Sequence, residues 1–76
     1  MIKIGDKVIP KMDCWIKIRT IFSSKELPED PQVFYVERLE GKASRNSENI
    51  YDCRCPSCYI YVMIKESDLL KVPEYD

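Results

Sequence analysis

The sequence predicts a mainly β domain, either a small five-stranded barrel or an open antiparallel sheet with one short helical turn. Three observations lead there. Several segments are rich in β-branched and aromatic residues. Only residues 66–70 read as helical, because no window carries apolar residues at 3.6-residue spacing over three turns. The chain of 76 residues also holds one core rather than two, so residues 1–76 form a single domain.

Residues 2–4 read as a short strand, followed by a turn at Gly5-Asp6 and a second extended piece, Lys7-Val8-Ile9. Pro10 ends it, since proline offers no ladder donor. Residues 14–22 hold Trp15, Ile16, Ile18, Thr20, Ile21 and Phe22, side chains that suit a pleated surface, and are expected to be a strand. Residues 23–31 contain two prolines and four charges and form a solvated loop. Residues 32–39 are the next strand, apolar on both faces around Phe34 as in a central strand. Residues 40–49 are polar, include Gly41, and make a long hairpin loop. Residues 50–58 lead through a cysteine cluster into the strongest strand, 59–65. One helical turn at 66–70, capped by Ser67 or Asp68, precedes a last short strand at Lys71-Val72. With the opening Gly5-Asp6-Lys7-Val8, this order and length resemble an SH3-like (Src-homology-type) barrel in topology. An open sheet fits the same strands.

Alternation along a strand assigns faces. Cys58, Ile60, Val62 and Ile64 share one side, opposite Tyr59, Tyr61, Met63 and Lys65. In the 14–22 segment, Cys14, Ile16, Ile18, Thr20 and Phe22 lie opposite Trp15, Lys17, Arg19 and Ile21. The aliphatic sets are expected to face the core. Trp15, Lys17, Arg19, Tyr59, Tyr61 and Lys65 are then expected to form an outer binding surface of rings and cations. Such a surface suits a protein partner or single-stranded nucleic acid; capping of a barrel end by Trp15 or a tyrosine is the plainer reading.

Cys53-Arg54-Cys55-Pro56-Ser57-Cys58 is the densest chemical signal. Cys-x-x-Cys is a usual spacing for two thiolates on tetrahedral zinc, and Pro56 presets a tight turn. There is no histidine, and Cys14 falls in phase with Cys58, so Cys14, Cys53, Cys55 and Cys58 are the candidate zinc ligands. Tyr59 stands where a knuckle has glycine, and Cys-x-Cys is a less usual spacing. Free thiols and disulfides therefore stay open beside zinc. A small core supplies only roughly 3–5 kcal/mol, so such a staple has a purpose. The thioredoxin-like redox reading is disfavoured, because that chemistry places the first thiol at a helix N-terminus.

Twelve basic and thirteen acidic residues give a net charge of −1, too balanced for binding driven mainly by counterion release. Arg38, Lys42, Arg45 and Arg54 are interleaved with Glu37, Glu40, Glu48 and Asp52, as on an ordinary soluble surface. Glu29, Asp30 and Asp13 read as solvated charges. With no histidine, no nucleophile–base pair and no glycine-rich phosphate loop, an enzyme is not expected. Neither a signal peptide nor a membrane span is read, and a cytoplasmic location is expected. The expected function is a small protein-binding module, an adaptor, regulator or inhibitor of a larger protein, of a size that phages and mobile elements encode. The alternative is a nucleic-acid-binding small barrel with a structural zinc.

Overall fold

The computed structural model describes residues 1–42 and 48–73. Among them the elements run β1 (Lys7–Pro10), α1 (Met12–Ile21), β2 (Phe34–Lys42), β3 (Asn49–Cys55), β4 (Ile60–Lys65) and β5 (Leu69–Lys71). Single 3-10 turns at Ser23–Lys25 and Glu66–Asp68 complete the set. The strands form one antiparallel sheet in the order β4-β3-β2-β1-β5. β4 and β5 lie at opposite edges, so the sheet is open and does not close into the SH3-like barrel. Arg45 and the other residues at 43–47, inside the expected hairpin loop, lie outside the described residues.

The expected first strand at 2–4 is a turn instead. Gly5 adopts φ +91°, a conformation that glycine takes without strain. The Asp6 amide donates to the Lys3 carbonyl at 3.1 Å, and the Lys3 amide donates to Asp6 Oδ2 at 2.8 Å. Gly5 and Asp6 then exchange backbone bonds with Val36 of β2. The turn is thereby held to the sheet, and Ile2 is buried.

The larger correction concerns residues 14–22, which are not a strand. Residues 12–21 are the helix α1. Its buried positions are Trp15 and Ile18, with Phe22 half-buried one turn further on. That 15, 18, 22 spacing is helical, whereas alternation grouped Trp15 with Lys17 and Arg19. A short apolar run matches both templates, and β-branched content is only a weak prior. Two signals favour the helix. Asp13 sits in the first turn and Arg19 in the last, as the macrodipole prefers. The segment is also ten residues long, more than an average strand.

Alternation holds in the strands proper. Val8, Phe34, Val36, Tyr51, Cys53, Cys55, Ile60, Ile64 and Leu69 line the face under α1. Trp15 is fully buried against them, meeting Phe34 edge-on at 6.3 Å between ring centres. Its indole Nε1 donates to the Pro28 carbonyl at 3.1 Å. One side chain thus joins helix, sheet and the α1–β2 loop. The Cα trace is only 18 Å thick, the depth of a sheet with one helical layer.

Replacing Trp15 by alanine should cost about 3–5 kcal/mol, comparable to the stability of the whole domain. Far-UV circular dichroism on heating should show Trp15→Ala largely unfolded at 25 °C. Lys17→Ala, exposed on the same helix, should stay within about 0.5 kcal/mol of the parent.

Candidate functional site

Among the described residues, the helix covers one face of the sheet and no element covers the other. On the uncovered face the register aligns side chains across strands. Tyr61 of β4, Arg54 of β3 and Tyr35 of β2 stand in one row, continued by Lys7 of β1. Met63, Asp52 and Arg38 form the next row. Rows of this kind put neighbouring side chains within contact distance.

The centre of the face is held by charge pairs. Arg54 Nε donates to Glu37 Oε1 at 2.6 Å, and its guanidinium lies 5.5 Å from the Tyr35 ring centre. That bond to Glu37 raises the Arg54 pKa further, so the cation is permanent. Arg38 meets Glu40 at 3.1 Å and Asp52 at 3.3 Å. Two register shifts in β2, between Val36 and Arg38 and between Leu39 and Gly41, displace Glu37 and Glu40 from simple pairing. The first shift leaves Glu37 free to reach Arg54. These pairs are exposed and add little stability; they fix where the guanidinium points.

Next to this row, Arg54, Cys55, Pro56, Tyr59 and Tyr61 line a pocket of about 300 Å³, at the small end of ligand-site volumes. Tyr59 is 86% exposed and sits at φ 58°, in the left-handed region. A non-glycine residue there costs about 1–2 kcal/mol. The turn needs that conformation: the Tyr59 amide donates to the Cys55 carbonyl at 2.8 Å, closing the β3–β4 connection. This is the position where the sequence has tyrosine in place of the expected glycine.

The binding residues expected from the sequence divide between the two sides. Tyr61 and Lys65 are exposed on the side of β4 away from α1, as alternation assigns them, while Tyr59 lies in the turn before the strand, exposed and bordering the same pocket as Tyr61. Trp15 is not on any surface, because it is the core contact of the helix. Lys17 and Arg19 belong to α1, in the layer that covers the opposite face. Arg19 borders a groove of about 470 Å³ with Ile16, Thr20, Ser23, Glu26 and Leu27. The six residues therefore do not make one surface. Tyr35 and Arg54 were missed as partners of Tyr61. Alternation through Cys53-Arg54-Cys55 does turn Arg54 away from the two thiols, but its meeting with Tyr35 depends on strand register.

All four cysteines are free thiols. Cys53 and Cys55 are fully buried on the α1 side of β3, while Cys14 and Cys58 are half-buried. They fall into two neighbourhoods. Cys14 is close enough for its charge to act on Cys53. Ser57 Oγ lies 3.4 Å from Cys55 Sγ and 3.7 Å from Cys58 Sγ. Among the described residues, no three Cys, Asp or Glu side chains converge as metal ligands. The shared site inferred from a strand at 14–22 loses its geometric basis, since Cys14 projects from a helix.

Burial, then Asp52 and then Cys14 push the Cys53 thiol up to about 12. Burial and then Asp68 raise Cys14, against Lys17 and Lys65. Burial and then the bond to Cys55 raise Cys58. These are the shifts of packed thiols rather than activated ones. No family model, curated protein or solved structure matches this chain.

Two outcomes follow from this geometry. In folded protein treated with iodoacetamide at pH 8, peptide mapping should find Cys14 and Cys58 modified well before Cys53 and Cys55. At that pH only about one Cys53 in 10,000 is thiolate. Because its folded value lies above the unfolded value of 9.0, the stabilisation from Cys53 is complete below about pH 9 and fades as pH rises towards 12. Separately, Tyr59→Gly should raise stability in urea by about 1 kcal/mol, since glycine meets no penalty at this backbone conformation.

Proposed function

We propose that this chain is a small non-enzymatic protein-binding module whose contact surface is the uncovered sheet face centred on Tyr61, Arg54 and Tyr35. The observation that carries the reading is the in-register row of two tyrosines flanking an arginine. Tyrosine and arginine supply most binding hot spots, because each combines large apolar area with directional polar contacts. Tyr61 and Met63 are more than half exposed, and Leu70 adds an apolar side chain beyond Ile9 on the same side. Glu37 holds the guanidinium in place before any partner arrives, which lowers the ordering cost of association.

Charge favours a protein over a polyanion. Arg54 and Arg38 are both paired with carboxylates on the face itself. A phosphate backbone would have to displace or tolerate Glu37, Glu40 and Asp52. Electrostatic attraction, the main source of affinity for nucleic acid, is therefore weak here. A partner protein with a mixed-charge, aromatic-accepting surface fits better, and the module acts as an adaptor, regulator or inhibitor of it.

The test compares immobilised parent chain with Tyr35→Ala and Arg54→Ala, all confirmed folded by circular dichroism, against lysate and then against the purified captured protein. Calorimetry should show each face variant binding that protein about 10- to 100-fold more weakly, while Lys17→Ala and Arg19→Ala bind as the parent does. Face variants that bind undiminished, or a chain retained instead on single-stranded DNA and released by salt, would overturn the proposal.

A further inference from the structure

We infer that β4 pairs edge to edge with β4 of a second copy, making a two-fold dimer with a continuous ten-stranded sheet. The inference stands apart from the partner-binding role, because it rests on the edge of the sheet and not on its face.

β4 is bonded along its whole length to β3, from Ile60 opposite Cys55 to Lys65 opposite Ile50, with no register shift. Among the described residues nothing pairs with its other side. Natural edges are usually blunted by shortness, a bulge, a proline or an inward charge. The opposite edge is short, since β5 has only three residues and Pro73 follows shortly after. β4 has six residues, Ile-Tyr-Val-Met-Ile-Lys, with no proline and its single charge at the end. It is the unprotected edge.

The occupant follows from the sequence of the strand itself. In antiparallel pairing, opposed residues share a face, so a two-fold axis must pass through a residue. Centred on Val62, every position meets a compatible one. Ile60 stands opposite the partner's Ile64 on the helix side, and Val62 meets the partner's Val62. On the uncovered side Tyr61 meets the partner's Met63, and the strand's one charge, Lys65, lies beyond the mutually paired residues 60–64. No like charges oppose. Val62 is half-buried while Ile60 and Ile64 are buried, and the partner's Val62 would complete its cover. Centring on Met63 instead would set Glu66 against the partner's Ile60. The operation keeps both helices on one side and both Tyr61–Arg54–Tyr35 rows on the other, as an isologous interface requires.

Sedimentation equilibrium tests this directly. The parent should pass from 9.0 kDa to twice that mass as concentration rises towards about 1 mM. Tyr61→Lys with Met63→Lys places cations opposite cations across the axis and should weaken association by at least about tenfold. Tyr61→Glu with Met63→Lys makes opposite charges face each other and should keep the dimer. Both substituted positions, Tyr61 and Met63, are exposed, so folding persists and circular dichroism checks it. A parent that stays at 9.0 kDa throughout, or a double-lysine variant that associates as the parent does, overturns the inference.

Discussion

The seating of one indole against the sheet is the contact on which this architecture depends. Trp15 is fully buried, meets Phe34 edge-on and anchors the α1–β2 loop through the Pro28 carbonyl. Burying an indole removes roughly 150–250 Å² from water, which at about 25 cal/mol per Å² corresponds to about 4–6 kcal/mol. In a domain this small, whose net stability is on the order of 5 kcal/mol, loss of that contact separates the two layers.

Seating the helix on one side decides what the other side can do. Among the described residues a single helix covers one face of a five-stranded sheet, and the second face meets solvent or a partner. The chain fills that face with tyrosines, a methionine and ion-paired arginines rather than with a uniform polar layer. Glu37 fixes Arg54, and Arg54 in turn lies over Tyr35. Cys53 and Cys55 are buried on the covered side, and burial raises the pKa values of Cys53, Cys14 and Cys58. The thiols of Cys53 and Cys55 and the row Tyr61–Arg54–Tyr35 thus lie on opposite faces of one sheet.

Much of this arrangement is legible from alternation. The inward Ile60 and Ile64 and the outward Tyr61, Met63 and Lys65 follow from the sequence alone. So do the turn at Gly5-Asp6 and the central place of the strand around Phe34. The segment 14–22 failed because Ile16, Ile18 and Phe22 fit a period of two, while Trp15, Ile18 and Phe22 fit a spacing of three and four. Only the position of its one tryptophan, in phase with Ile18 and Phe22, separates them. That single misreading moved Trp15 from the core to the surface and placed Lys17 and Arg19 beside tyrosines that lie beyond the opposite face of the sheet. The row Tyr61–Arg54–Tyr35 was illegible for another reason: it depends on pairing between strands far apart in sequence and on a bulge at Glu37.

Solution NMR tests the central contact most directly. Residues 12–21 should show helical Cα shifts, with cross-peaks from the Trp15 indole to the Phe34 ring and a slowly exchanging indole proton. Extended shifts across 14–22, with an indole that exchanges freely and sees no neighbour on β2, would contradict the two-layer arrangement and everything inferred from its uncovered face.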